Sequence, residues 1–234
     1  MIRPRTILAT AAVVLGALAL SACTSSPQAD PPGSAPPGGT STLPDPTDSE
    51  APVDNPSTPA GLEAVDLGLS VRWASMNVGA EAPTDHGSYF GWGDTTGTNA
   101  STNDDDFPFA NPPASISGTE QDAAHVHWGD GWRMPTHDEQ MELVEQCDWQ
   151  SDPQGDVPGW TITCPNGNSI FLTAGGGKIG DQTQYDVVGA DFWSGTLDPN
   201  DPGRAHVMWF FHSNHTADDS LPRHYRFAIR PVTE

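Results

Sequence analysis

Residues 128–149 read WGDGWRMPTHDEQMELVEQCDW, and the arrangement of the rest of the chain follows from this stretch. Its first half is a glycine-rich aromatic turn that ends in an Arg-Met-Pro corner at 133–135. Thr136 and Glu139 then stand at the spacing of a capping box. In that motif the threonine hydroxyl accepts the N–H three residues on, and the glutamate reaches back to the threonine N–H. Asp138 and Glu139 also suit the positive end of a helix dipole. Met141, Leu143, Val144 and Cys147 place apolar groups on one broad face, so a helix is predicted over about residues 135–147. Arg133 is expected to be buried against a carboxylate or against carbonyls of the turn.

Outward from this segment the pattern changes to short strands and loops. Val71 and Trp73 alternate with Arg72 and Ala74, a strand with one buried face. Pro83 to Gly93 reads as a turn followed by a brief aromatic strand, Tyr89 to Trp92. Thr95 to Gly118 has no periodicity and reads as a long loop, and Glu120 to His125 as a short helical turn. After the helix, Trp160, Ile162 and Cys164 alternate with threonines. Pro165-Asn166-Gly167-Asn168 is a hairpin-type turn into Ser169 to Thr173. Two further strands are predicted: Ala205 to His212, with Val207, Trp209 and Phe211 on one face, and Tyr225 to Val232. Short strands, one well-specified helix and much loop make an α+β class.

The ends and the charge limit what such a domain can do. Arg3 and Arg5 precede an apolar run from Ile7 to Leu20, and Leu20-Ser21-Ala22-Cys23 follows. This is the order of a signal peptide. It resembles a bacterial lipobox, which implies a signal peptide over 1–22, cleavage before Cys23 and lipid on the Cys23 sulfur. Residues 24–60 include ten prolines among mostly small and polar residues, a tether with little to bury. In extended polyproline geometry its reach is roughly 115 Å. Residues 61–234 are long enough for one domain with its own core and hold all eight tryptophans. With 31 Asp plus Glu against 9 Lys plus Arg, the net charge is −22. Such a field repels nucleic acid and anionic membrane surfaces. The remaining cysteines, Cys147 and Cys164, are most simply a disulfide in an oxidising compartment.

The order of signals also resembles a known family. VDLGLSVRWASMNVG (65–79), GSYFGWGD (87–94), the 128–149 stretch, GNSIFLTAGG (167–176), FWSG (192–195) and YRFAIRPV (225–232) are similar to the Fibrobacter succinogenes major paralogous domain. That module is bacterial, extracytoplasmic and of the C-type lectin-like fold. The resemblance covers roughly residues 63 to 233, and its most specific part is WRMPT followed by a helix, with a terminal RPV strand. It implies a domain whose first and last strands pair, with a loop-rich half beside the sheet. It carries over no catalytic residues, and fold alone does not fix function.

Candidate site residues are therefore weighed one group at a time. Calcium-dependent lectins of this fold use a Glu/Gln-Pro-Asn/Asp loop followed by a Trp-Asn-Asp strand. Asp198-Pro199-Asn200-Asp201 resembles the first element, but Trp209 is followed by Phe210-Phe211, which offers no ligands. Asp104, Asp106, Asp198 and Asp201 are the candidate calcium ligands, set against solvated acidic loops as the plainer reading. His125 with His127, or His206, His212 and His215, lack the convergent third and fourth ligands that zinc needs. Enzymes of the fold, such as the formylglycine-generating oxidases, use C-terminal cysteines or a histidine triad, and neither arrangement is present. Trp73, Trp128, Trp132 and Phe227 are expected in the core. Trp193, Trp209, Phe210, His212 and His215 are the candidate ligand-binding residues. The sequence thus reads as a lipid-anchored module on the outer face of the bacterial envelope. It would bind a glycan or a protein, with a structural display role or a C-type lectin-fold enzyme as alternatives.

Overall fold

The computed structural model describes residues 58–103, 106, 111–129 and 131–234. The proposed signal peptide, Cys23, nearly all of the tether, Asp104 and Asp105 lie outside the described residues. No helix among the described residues is long and apolar enough to cross a membrane. In chain order the elements are β1 (Ala64–Val65), β2 (Arg72–Ala74), α1 (Ala123–Trp128), α2 (His137–Gln146), β3 (Asp148–Ser151) and β4 (Gly159–Thr163). They continue with β5 (Ser169–Thr173), β6 (Gly177–Ile179), β7 (Gln182–Gln184), β8 (Gly189–Leu197), β9 (Arg204–Phe211), β10 (Asn214–Pro222) and β11 (Val232–Thr233). Two helices and short antiparallel strands give an α+β fold. The strands form three three-stranded sheets, β1-β2-β11, β3-β4-β5 and β8-β9-β10, and the β6-β7 ribbon.

The 128–149 stretch ties the chain's ends to its middle. The Thr136 hydroxyl accepts the Glu139 N–H at 3.3 Å, and the Thr136 N–H donates to Glu139 Oε2 at 2.7 Å. The helix so capped runs over His137–Gln146, a shorter span than predicted, because Pro135 lies before the cap and Cys147 has already turned to extended backbone. Arg133 meets the carboxylate expected of it. Its guanidinium donates to Glu139 Oε1 and Oε2 at 2.7 and 2.8 Å and to Glu234 Oε1 at 3.1 Å. Its backbone exchanges two hydrogen bonds with Val232. Val232 in turn pairs with Trp73 across β11 and β2, so the last strand joins the same sheet as the first, with β2 between them. Cys147 and Cys164 form the disulfide between the end of α2 and the end of β4.

Three predicted elements differ. Tyr89 to Trp92 is not a strand; only Phe90 bridges Phe227, because each residue of the segment finds a different partner. Tyr225 to Pro231 is likewise a series of single bridges from Arg226, Phe227 and Ala228 to three separate segments, and regular pairing begins only at Val232. Asp122 moves the first helix later in the chain. Its carboxylate caps α1 by accepting the Ala124 and His125 N–H groups, and it also takes those of Gly118 and Met134 at 2.7 Å each.

The β8-β9-β10 sheet stands between two apolar clusters. Antiparallel partners share a face, and the register puts Ala190, Phe192, Met208 and Phe210 on one side. That side packs on Trp149, Trp160, Ile162, Leu172 and Trp73. The other side carries Asp191, Trp193, Val207, Trp209 and Phe211 from β8 and β9, and Asp219 and Leu221 from β10. At one end of that second side, Trp193, Val207 and Ala205 are sealed beneath Phe90, Trp92, Ile116, Met134 and Phe227. Buried indoles are satisfied within the seal: Trp193 Nε1 donates to Phe90 O at 2.8 Å and Trp92 Nε1 to Ser194 O at 2.9 Å. Gly195, at the irregularity between β8 and β9, lets the covering chain approach, since a Cβ there would lie 2.9 Å from the Ser117 Cβ. The opposite end of the same face has no such cover.

Candidate functional site

At that uncovered end lies a groove of about 350 Å3 lined by Tyr185, Asp191, Trp209, Phe210, Phe211, Asp219 and Leu221. Period-two alternation along β9 explains why Trp209 and Phe211 arrive there while Met208 and Phe210 go to the core. Asp191 lies directly across from Trp209 on β8. Asp219 lies across from Val207 on β10, after a register shift between Thr216 and Asp219. The central indole is therefore flanked by an acid on either side. Tyr185 comes from the segment after β7, and its ring meets that of Phe211 edge-on at 6.0 Å.

The electrostatics of this groove are unusual for a folded domain. Asp191 is only 4 % exposed. Its Oδ2 accepts the Tyr185 hydroxyl, and its carboxyl is pushed up to about 7 by burial, with Asp219 adding to the rise against the Tyr185 hydrogen bond. Burial, followed by the Asp191 charge, pushes the Tyr185 phenol up as well. Trp209 Nε1 donates to Asp219 Oδ2 at 3.2 Å, and Asp219 Oδ1 accepts the Ser220 N–H at 2.7 Å. Both polar-tipped aromatics thus donate their one proton to the two acids. Tyr185 and Phe211 nevertheless remain 39 % exposed each.

Backbone strain gathers in the same place. Among the described residues, the non-glycine positions with positive φ are Tyr185 at 40°, Val187 at 67° and His212 at 54°. A β-branched residue at such an angle is an outlier, and each such position costs of order 1–3 kcal/mol unless its surroundings compel it. Among the described residues, Val187 is also the most exposed of the large apolar side chains, at 62 %. Val187 and His212 border a second, more polar cavity of about 380 Å3 that also touches Trp160, Pro153 and Ser151.

The predicted site residues separate on this frame. Trp209 lines the groove and His212 the neighbouring cavity. Trp193 and Phe210, expected to offer ring surface to a ligand, are 0 % and 1 % exposed and belong to the core. The groove and the seal share one face, and Trp193 falls under the seal. Phe210 borders the groove but packs its ring into the core cluster on the opposite face. His215 stacks on Trp149 at 4.6 Å on that opposite face, where burial lowers its pKa. His125 and His127 lie on α1, so they do not share the face that an extended segment would give them; His127 Nε2 lies 2.8 Å from Thr95 O. Asp198 accepts from Ser220 Oγ at 2.7 Å and from the Asn200 N–H, and Asp201 accepts the Gly203 N–H, so both shape a turn. Asp106 accepts from Ser101 Oγ. Among the described residues no three His, Cys, Asp or Glu side chains gather as metal ligands would. Tyr185, Asp191 and Asp219 were not legible as site residues. Asp191 and Asp219 were two of many acids, and nothing in Tyr185's own neighbours shows that it will meet β8.

No family model, curated protein or solved structure matches the chain. The groove must therefore be read from its own chemistry. It offers apolar ring surface, two carboxylates and a tied hydroxyl, on an antiparallel sheet with positive-φ residues at its rim.

Proposed function

We propose that the chain is a surface-exposed bacterial lipoprotein whose domain binds a ligand, a glycan or a segment of another protein, through the Tyr185–Trp209–Phe211 groove. In this reading Cys23 carries the lipid, residues 24–60 hold the domain off the envelope, and residues 61–234 form a C-type lectin-like domain of the Fibrobacter succinogenes major paralogous type. The observation that carries the binding role is the open end of the β8-β9-β10 face. A sheet face that could have been sealed along its whole length instead leaves three aromatic rings and a buried acid around a cavity of ligand size. Neighbouring strained backbone at Tyr185 supports the same reading, since strain is retained where function needs it.

The test is a glycan array and a protein pull-down with the full-length chain and a Trp209→Ala variant. Capture by the wild type that is lost in the variant supports the groove; capture equal in both puts the binding surface elsewhere. Absence of any capture favours the display role, in which the domain acts as a spacer. Metabolic labelling with a fatty acid tests the anchor, and Cys23→Ser should abolish incorporation. Hydrolysis is the second reading, favoured by one observation. A carboxyl whose pKa is raised to about 7, with a second carboxyl on the same groove, is a pairing that general acid–base chemistry uses. Release of reducing ends from an array ligand, lost in Asp191→Asn, would establish it.

A further inference from the structure

We infer that the groove takes an alkylated ammonium group, held between the Asp191 and Asp219 carboxylates and against the rings of Tyr185, Trp209 and Phe211. The inference rests on the groove being the binding site and specifies its ligand class. Four observations carry it. First, the groove is acidic but has no cation of its own: among the described residues, those that line it include no lysine, arginine or histidine. Second, its two donors are already committed, Tyr185 to Asp191 and Trp209 to Asp219. What the acids leave open to a ligand is oxygen, which a cation can meet without any donor from the protein. Third, the remaining walls are aromatic or aliphatic: Phe211, Leu221 and the rings of Tyr185 and Trp209. A bare metal ion would have to exchange its water for six to eight oxygens, which these walls do not supply. An ammonium clothed in methyl groups matches them, because its alkyl surface packs on the rings while its charge is attracted by their π faces. Fourth, Asp191 is almost wholly buried with the exposed Asp219 on the same face. Ionising a buried carboxyl on the same face as a second acid is unfavourable until a positive group enters between them. The net charge of −22 adds long-range attraction for cations.

Choline is the direct probe, and its uncharged carbon isostere, dimethylbutanol, is the control for apolar packing alone. With the full-length chain in non-ionic detergent, millimolar choline should shift the indole N–H resonance of Trp209 in a saturable way. The isostere should bind about tenfold more weakly or not at all. Asp191→Asn, which keeps shape and an acceptor for Tyr185, should weaken choline about tenfold or more while the remaining tryptophan resonances keep their positions. Trimethyl-lysine amide, run in parallel, shows whether a side chain can bring the same group into the groove. Equal binding of choline and its isostere, or undiminished binding by Asp191→Asn, overturns the ammonium assignment. No choline-induced shift at all overturns it too. The broader reading is judged separately: Trp209-dependent capture of a neutral glycan or peptide would leave the groove as the binding site with a different ligand class, and loss of both responses would remove the groove itself.

Discussion

The corner at residues 128–149 and the groove between Tyr185 and Leu221 are built from similar materials, aromatic rings and carboxylates, to opposite ends. In and beside the corner, Glu139 and Asp122 are answered by partners. Glu139 is pushed up by burial, but the Arg133 guanidinium and the Thr136 N–H outweigh that and hold its carboxyl below the usual range. Asp122 is fully buried, and although burial pushes its carboxyl up, four backbone N–H groups oppose that rise. The same holds for Arg230, 0 % exposed, which donates to Asn77 Oδ1, Ala74 O and Phe171 O at 2.8–3.0 Å. In the groove, Asp191 is nearly as deep but has a phenol for a partner and a second acid for a neighbour. Satisfied polar groups in the interior specify the fold; an under-compensated acid beside open aromatic surface marks the place where a ligand completes the structure.

Substitutions can break or sharpen this contrast, beginning with the largest effect. Replacing both Cys147 and Cys164 by serine should cost about 3 kcal/mol in the chain-entropy picture of a loop of this length. Denaturant melts would show it, and the wild type under reductant should converge on the variant. Asp191→Asn should act in the opposite direction. The folded Asp191 pKa, about 7, lies above that of an unfolded carboxyl. The folded state therefore holds the proton more tightly between roughly pH 4 and pH 7, and wild-type stability falls as pH rises through that window. The asparagine variant should be more stable than wild type at pH 8, by about 1.4 kcal/mol for each unit by which folding raises the Asp191 pKa, and indistinguishable from it near pH 4. A variant less stable than wild type at pH 8 would place Asp191 among the satisfied acids of the corner.

Smaller effects test the same division. Thr136→Ala should lose about 1 kcal/mol through the cap, with Thr136→Ser recovering most of it. Val187→Gly should gain about 0.5 kcal/mol, because the exposed side chain has little packing to lose and glycine adopts a φ of 67° without strain. A loss there would mean that Val187 packs against something in solution. Smallest of all, millimolar calcium against chelator should leave the thermal melt unchanged, since Asp198 and Asp201 already direct their carboxylates into their own turn. A raised midpoint in calcium would turn that turn into a ligand loop.

How much of this was readable in advance depends on the range of each interaction. The capping box needs two residues three apart, so Thr136 and Glu139 announce it directly. The β4–β5 hairpin is equally local: Asn166-Gly167 sits between two alternating runs, and the register pairs Thr163 with Ser169. Arg133 could be assigned a carboxylate but not which one. Glu139 is six residues away, whereas Glu234 is 101 away and arrives only because β11 pairs beside the corner.

The groove lay beyond such reasoning. Alternation along β9 correctly put Val207, Trp209 and Phe211 on one face, yet it treats all three alike. Val207 is sealed, Trp209 half-buried and Phe211 open, because the segments around Phe90, Ile116 and Met134 cover one end of the sheet and stop short of the other. The sequence by itself therefore determined the α+β class, the capped helix, the hairpin, the disulfide pair and the shared facing of Val207, Trp209 and Phe211. These depend on spacing along the chain and on which groups water rejects. Only the tertiary structure decided which end of that face stays uncovered, and hence that Tyr185, Asp191 and Asp219 share one cavity with Trp209. That outcome depends on where distant loops come to rest, and burial is a property of the assembled surface that no single residue carries.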